Sequence, residues 1–311
     1  MQHLASQKVA GAALGLLAAG LLIMPVPRAA RADDDDTVAT RTEEDEGVET
    51  ENIFGFTEGT DTGEKGELEL SAGVTGAFKR KREDPESSRY SVLTPEAEIE
   101  YGVTDDWKLS LGTSLLFYDI RNIEELDNRD GGGFNSISFE SKYRFLNRET
   151  SPIGLAFSIE PEISRYDEGS GERATNIELG MKFMADAAIV PDRLFAAVNL
   201  AYAPEWAKED GAWVRESSLE ASGALTLAVT PQLFLGAEVR YLASYEGATL
   251  DQFEGDALYV GPTLYFQISD RAYFMAAYSL QVAGDSPDNG SHLDLVEHER
   301  HQFLAAFGYT F

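Results

Sequence analysis

The chain ends on the stretch QFLAAFGYTF, residues 302–311. Every second residue from Phe303 to Phe311 is apolar, and Phe307, Tyr309 and Phe311 are aromatic. This period of two indicates a β-strand with one aromatic face. An alternating strand that ends in an aromatic residue is typical of outer-membrane β-barrels, where the last strand closes onto the first and aromatic residues lie at the membrane interface. We therefore interpret Phe307, Tyr309 and Phe311 as a barrel assembly signal.

The same alternation recurs upstream and predicts an all-β fold. From residue 66 onward there are twelve alternating segments, joined by short connections such as 103–106 and longer ones such as 119–134 and 204–215. This rhythm predicts a transmembrane antiparallel up-and-down β-barrel over residues 66–311. Because the strand number is even, we expect both termini in the periplasm of a bacterial outer membrane.

A soluble β-sandwich or lipocalin-like barrel is the alternative fold, since its strands alternate as well. Charges in the middle of the second face oppose it, and twelve apolar faces exceed the core that one sandwich encloses. Pro95, Pro161 and Pro262 fall inside predicted strands, where each removes a donor from the ladder. They indicate either bulges or a slip in the assigned register.

The first 32 residues have the features of a signal peptide. Lys8 is basic, residues 9–24 are apolar and small, and Ala30-Arg31-Ala32 supplies a cleavage site. A signal anchor retained in the inner membrane is the alternative. No later segment approaches 18 consecutive apolar residues, so the sequence predicts no helical span after the signal.

Residues 33–65 form an acidic leader that we expect to be disordered and periplasmic. Ile53, Phe54 and Phe56 make a small apolar island within it. Two roles remain open for the leader. It is either a plug whose apolar island enters the periplasmic mouth of the barrel, or a solvated tail that is inert or binds a partner.

The second face of the predicted strands is rich in charge, with an excess of acids. The predicted lumen-lining charges are Glu69, Glu96, Glu98, Glu100, Lys108, Glu140, Lys142, Arg144, Glu160, Glu162, Glu178, Lys182, Glu220, Glu238 and Arg240. They either line a narrow water-filled path that disfavours anions or pair across strands in a closed lumen. The predicted lumen aromatics are Tyr118, Phe195, Phe234, Tyr259, Tyr265 and Tyr273. These fill the barrel or stack on sugar rings or aromatic solutes.

The sequence offers little catalytic chemistry, and we predict neither an enzyme nor a cofactor. His298 and His301, with Glu297 and Glu299 beside them, are weak candidates for a transition-metal site, and a solvated loop is the alternative. A lipase would need a serine and a histidine on facing positions. In the predicted register Ser279 points inward and His301 points outward.

The net charge of −29 constrains the partners. Lys8, Arg28 and Arg31 belong to the signal peptide, so the remaining chain is nearer −32, three charges lower. Such a charge excludes nucleic acid and favours cations, including divalent ions that bridge anionic lipids. We expect contacts with outer-membrane lipid, lipopolysaccharide and the barrel assembly machinery.

Three stretches resemble a known group of proteins: GTDTGEKGELELSAG (59–73), YGVTDDWKLSLG (101–112) and FGYTF (307–311). They are similar to proteobacterial outer-membrane β-barrels, in particular to the transporter-like "meta-pathway of phenol degradation" family. The resemblance implies passive uptake of small, often hydrophobic or aromatic compounds, and it transfers no binding residue. The long acidic leader departs from that family. Twelve strands also resemble sugar-acid channels, which would require a basic lumen.

The functional expectation is a passive channel or transporter-like protein for small solutes that disfavours anions. One alternative is a structural barrel with a closed lumen whose acidic loops bind bridging divalent cations. Another is a hydrolase at the mouth of the barrel.

Overall fold

The computed structural model describes residues 48–84, 86–209, 211–287 and 291–311. The predicted signal peptide, residues 1–32, and the start of the leader lie outside the described residues. The described chain contains twelve strands: β1 (Leu68–Phe78), β2 (Arg89–Thr104), β3 (Trp107–Arg121), β4 (Arg129–Leu146), β5 (Gly154–Tyr166), β6 (Arg173–Val190), β7 (Leu194–Glu209), β8 (Ala212–Ala228), β9 (Leu233–Glu246), β10 (Gln252–Ser269), β11 (Ala272–Asp285) and β12 (His301–Thr310).

The strands form one closed antiparallel barrel. Each pairs with its neighbour in sequence, and β12 pairs with β1, with Glu69 opposite Thr310 and Phe78 opposite His301. This confirms the predicted twelve-stranded up-and-down barrel. We call the end that holds the start of β1 and the end of β12 the turn end, and the opposite end the loop end. No helix among the described residues is long and apolar enough to cross a membrane.

The barrel is apolar outside and polar inside. Large apolar side chains on the outer face, such as Ile99, Leu111 and Phe183, expose about half of their surface. Charged and hydroxyl side chains alternate with them and point inward. This is the arrangement of a transmembrane barrel, and it is the reverse of the soluble sandwich considered above. Phe307 and Phe311 lie on the outer face, where they are exposed.

The three prolines cause neither bulges nor a slip in register. Pro95 lies opposite Val74 on β1, while on the other side the β2–β3 ladder skips it without changing register. Pro161 is paired with β6 and skipped in the ladder with β4. Pro262 is likewise paired with β9 and skipped in the ladder with β11. Each missing N–H therefore interrupts one ladder only locally.

Some strands extend further than the hydrophobic pattern predicts. The expected connection 204–215 is mostly strand, because β7 continues to Glu209 and β8 begins at Ala212. The expected connection 119–134 shortens to residues 122–128 in the same way. Backbone pairing continues past the apolar belt, where the side chains no longer need to alternate, so the pattern underestimates strand length at the loop end.

Candidate functional site

The second half of the acidic leader lies inside the barrel at the turn end. We call residues 48–62 the plug segment. From Thr50 to Thr62 most of its residues are buried by the barrel wall, and Thr50, Phe54, Thr57 and Thr60 have no exposed surface. This corrects the expectation that the whole of 33–65 is disordered. Acidic runs are disordered when their charges stay solvated, whereas here the acids meet bases on the inner wall.

An apolar anchor holds the centre of the plug segment. Ile53 and Phe54 pack in one buried cluster with inward side chains that include Phe195, Phe234 and Tyr265. Sealing these two side chains from water stabilises the docked segment by about 1.5–3 kcal/mol each. Four of the six predicted lumen aromatics belong to this cluster, so at this depth they fill the barrel around the plug segment.

Gly55 lets the backbone turn beside that anchor. Its φ of +96° lies in the left-handed region, and a Cβ atom there would stand 2.6 Å from Thr263 Cγ2 and 3.0 Å from Ala277 Cβ. A side chain would therefore be strained and would also strike the barrel wall. The close approach requires glycine at this position.

Buried ion pairs fix the plug segment to strands β3, β4 and β6. Glu51 Oε1 lies 2.6 Å from Lys108 Nζ and 2.5 Å from Lys142 Nζ. Glu58 pairs with Lys182 and exchanges two hydrogen bonds of 2.8 and 2.9 Å with the Asn199 amide. Burial raises the pKa of Glu51, but the two ammonium groups outweigh it and bring that pKa to about 2.

A third acid of the plug segment binds two arginines. Asp61 lies 2.9 Å from Arg144 Nη1 and 2.5 Å from Arg148 Nη1. Nearby, Thr60 donates to Asp186 through its hydroxyl at 2.8 Å and its N–H at 3.1 Å. The wall thus supplies bases to the acids of the segment and a carboxylate to its donors.

Strands β8 and β9 contact the segment through polar and aromatic groups. Thr57 Oγ1 lies 2.6 Å from Glu238 Oε1. The Arg240 guanidinium stands 4.1 Å from the centre of the Phe56 ring and donates from Nε to Glu220 at 2.9 Å. This is a cation–π contact in a buried site.

The loop end carries a second insertion. Residues 291–300, which we call the cap, precede β12, and Asp294, Glu297, His298 and Glu299 in it are buried. Arg80 donates from Nε to Glu299 at 3.2 Å and from Nη2 to the Glu297 carbonyl at 2.5 Å. Burial raises the pKa of Glu297 to about 8, although Arg80 opposes the shift.

The predicted lumen charges divide into two groups. The bases Lys108, Lys142, Arg144 and Lys182 contact the plug segment, and Arg240 bonds to Glu220. Glu100 pairs with Lys108, Glu69 accepts from Tyr273 at 2.6 Å, and Glu238 contacts Thr57. Among the residues that the structure describes, no base lies within salt-bridge distance of Glu96, Glu98, Glu140, Glu160, Glu162 or Glu178. Three of them, Glu160, Glu162 and Glu178, line one cavity together with Lys182, so this part of the inner face carries more acids than bases.

The other two predicted lumen aromatics lie nearer the loop end of the barrel. Tyr118 packs against Tyr166, and Tyr259 is fully buried and donates to the Glu299 carbonyl of the cap at 2.6 Å. Tyr259 therefore supports the cap, and no sugar-binding platform is formed by the aromatic set as a whole.

The two histidines do not form a metal site. His298 is buried inside the barrel, whereas His301 contacts Tyr278 on the outer face through Nδ1 at 2.5 Å. His298 lies in a bend before β12, whereas His301 is the first residue of β12, so the structure does not bring the two weak metal candidates together. Across the described ranges, no group of three or more histidine or acidic side chains is placed to hold a metal ion. Ser279 is buried inside, so it does not meet His301 either.

Sequence reasoning missed several functional contacts. Glu51, Glu58 and Asp61 of the leader, Arg148 in a turn and Arg80 were not singled out, and Glu299 was considered only as a neighbour of the weak metal candidates. The sequence did contain an indication of these contacts, because bases on the inward face and acids in the preceding leader are complementary in charge. No local sequence pattern, however, predicts that the two meet.

The chain belongs to the family described as "Family of unknown function (DUF6662)", which matches residues 46–311. The match includes the plug segment. The description differs from the phenol meta-pathway family that the sequence resembles, so that resemblance holds here for the barrel alone. A comparison with curated proteins gave no match.

Solved structures share the fold at low sequence identity. An outer membrane channel from Pseudomonas putida F1 matches with a TM-score of 0.51 and 13% identity, covering 81% of this chain and 98% of that one. The β domain of the Bordetella autotransporter Brka matches with a TM-score of 0.51 and 10% identity, covering 79% and 100%. At these identities the likeness extends to the barrel and not to a substrate.

Proposed function

We propose that the protein is a passive channel of the bacterial outer membrane for small solutes, that it disfavours anions, and that the plug segment closes it. The observation that carries the proposal is the leader inside the lumen, held by ion pairs to Lys108, Lys142 and Arg144. A barrel needs no such segment to satisfy its strand edges, since closure already does so. A channel that opens and closes requires an element that blocks the lumen and can leave it, and a charged segment held by ion pairs suits that role.

The location and orientation are part of the proposal. The apolar outer face fits contact with outer-membrane lipid and lipopolysaccharide, and the exposed terminal Phe311 fits recognition by the barrel assembly machinery. With both termini periplasmic, the plug segment enters from the periplasm and the cap faces outward.

The test is conductance in planar bilayers of the protein and of a variant lacking residues 33–62. The matched control lacks only residues 33–47, which removes acidic leader but keeps the plug segment. We expect low conductance for the full chain and the control, and a clear rise for the longer deletion. Heat-modifiable migration in gels checks that all three barrels are folded.

A folded, non-conducting 33–62 deletion would contradict the channel. It would favour the competing function of a structural barrel with a closed lumen, for which the cap and the plug segment at opposite ends are the supporting observation.

Anion exclusion is tested separately. Deletion of the plug segment also frees the bases of the wall. The test therefore compares the reversal potential of the 33–62 deletion variant with that of the same variant carrying further substitutions. Replacing Glu98, Glu140 and Glu160 by Gln should move that potential toward anions, more at low salt because screening is weaker there. Glu149→Gln in an exposed turn is the control. An unchanged reversal potential would place these carboxylates outside the conducting path.

A further inference from the structure

Three lysines of the inner wall lie in one row across neighbouring strands, beside the plug segment. Lys108 on β3 lies directly opposite Lys142 on β4. Across β5, Ser158 lies opposite Lys142 on one side and Lys182 of β6 on the other. We call Lys108, Lys142 and Lys182 the lysine row, and of the three only Lys108 also pairs with an acid of the wall, Glu100, among the residues described. Like charges directly opposite each other on a sheet are destabilising, so the row needs anions beside it.

The plug segment supplies those anions. Glu51 Oε1 lies between Lys108 and Lys142 and contacts both. Glu58 contacts Lys182, and its Oε2 stands 3.9 Å from Lys142 Nζ. Within the described ranges, every acid at salt-bridge distance from Lys142 or Lys182 belongs to the plug segment. The charges of these two buried lysines therefore depend on a segment that the proposed channel must release.

The two plug carboxylates indicate which ligand the lysine row accepts. Both approach the same Nζ of Lys142, at 2.5 and 3.9 Å, so they stand side by side on the row. Two carboxylates are held equally close when they belong to one short molecule. Ser158, between Lys142 and Lys182 in the register, is buried and can donate a hydrogen bond to such a ligand. Hydrogen bonds from ammonium groups to carboxylates are charge-assisted and strong.

We propose that the lysine row binds small dicarboxylates, that Glu51 and Glu58 occupy this site while the channel is closed, and that a dicarboxylate entering from the turn end displaces them and releases the plug segment. Such a ligand regulates the channel and is not its solute. Strand β5 runs from the turn end through Ser158 to Glu160 and Glu162, so the ligand reaches the row without passing these acids. Opening rests on the proposed channel function, whereas binding can be measured without conduction.

The tether of the plug segment sets the concentration at which a ligand competes. Residues 63–67 join the segment to β1, and a short linker gives an attached ligand an effective concentration on the order of millimolar. Release without replacement would leave buried lysines unpaired, which is costly. A dicarboxylate replaces both plug carboxylates at once, so it should act at millimolar concentration, whereas a monocarboxylate replaces only one of them.

Binding is tested by calorimetric titration of the full-length protein in detergent at low salt with glutarate, which carries a carboxylate at each end of a short chain. Acetate, the neutral diamide glutaramide and inorganic phosphate are comparison probes. Glutarate should bind about tenfold or more tighter to the Glu51→Ala, Glu58→Ala variant than to the parent, because the tethered competitor is gone. Adding Lys142→Gln to that variant should weaken binding about tenfold or more, the effect of losing a charge-assisted hydrogen bond. Lys65→Gln, exposed at the turn end, is the matched control.

Release of the plug segment is tested by conductance of the parent in planar bilayers, with glutarate added to one side at a time. We expect a rise in current when glutarate reaches the turn end, and no rise from the other side or with acetate at equal ionic strength. Heat-modifiable migration of each variant separates a lost site from a lost fold, and Lys182→Gln gives a second, independent loss of binding.

The outcomes separate the site from the channel. No saturable glutarate binding, or binding of acetate, glutaramide or phosphate as tight as that of glutarate, would overturn the site. Glutarate binding without a rise in current, when the 33–62 deletion conducts, would overturn the regulation. Glutarate binding together with a 33–62 deletion that is folded but does not conduct would refute the proposed channel alone.

Discussion

The two halves of the lumen differ in how their charges are balanced. At the turn end, bases on the wall meet acids of the plug segment, as in the pairing of Glu51 with Lys108 and Lys142. Toward the loop end, Glu162 lies opposite Glu178, and within the described part of the chain neither these two nor Glu96 has a base within salt-bridge distance. The same inward face thus holds a filled region, in which acids and bases pair, and an acidic region, in which carboxylates lie opposite one another. Net lumen charge alone would have hidden this division.

The largest expected effect comes from neutralising the acids of the plug segment. Glu51→Gln, Glu58→Gln and Asp61→Asn together leave the wall bases without carboxylates, and breaking a buried pair costs about 3–5 kcal/mol. We expect the segment to leave the lumen and conductance to approach that of the 33–62 deletion. Glu43→Gln, Glu44→Gln and Asp45→Asn, upstream of the plug segment, form the control. Conductance equal in both triple variants would show that the ion pairs do not hold the plug segment.

Gly55→Ala should release the plug segment in part. The new Cβ would meet Thr263 at 2.6 Å in a backbone conformation that already disfavours side chains. Gly66→Ala is the matched control, since Gly66 also has a positive φ, +86°, but nothing lies within 4 Å of its Cβ position. Single-channel recording should show more frequent openings for Gly55→Ala than for Gly66→Ala. Equal opening frequencies would place Gly55 outside a tight contact.

Arg80→Gln should loosen the cap and leave the plug segment in place. The change leaves Glu299 buried without its guanidinium and removes a donor to the Glu297 carbonyl. We expect proteolysis within residues 291–300 while conductance stays low, because the turn end remains filled. Arg89→Gln, in an exposed pair with Asp119, is the control. A rise in conductance for Arg80→Gln would assign closure to the cap.

The two ends should respond to pH in opposite directions, with a smaller effect. The docked pKa of Glu51 is about 2 against an ordinary 4.5, so its contribution to docking is complete above about pH 4.5 and is lost as pH falls toward 2. The docked pKa of Glu297 is about 8, so its contribution is complete below about pH 4.5 and is lost as pH rises through 8. Spin labels at Thr60 and Leu293 should gain mobility in acid and in base respectively. Parallel responses would contradict this division.

The barrel could be predicted from the sequence because period-two alternation reports directly which face meets lipid. Twelve strands, closure and the outward Phe307 and Phe311 followed from it. The plug segment could be predicted only as one of two roles, through Ile53 and Phe54, because its ion pairs join residues such as Glu51 and Lys142 that lie far apart in sequence. The placement of inward glutamates opposite one another, such as Glu205 opposite Glu216, could be read only from the cross-strand register, which no local pattern contains.

The most direct test of the account is a reversible lock on the plug segment. The chain contains no cysteine, and Thr57 Oγ1 lies 2.9 Å from Ser222 Oγ on β8, so Thr57→Cys with Ser222→Cys places two thiols close enough for a disulfide. The pair is introduced into the Glu51→Gln, Glu58→Gln, Asp61→Asn background, and conductance is recorded before and after reductant. The account predicts a closed channel while oxidised and an open one once reduced. The same current in both states, with the disulfide verified, would contradict it.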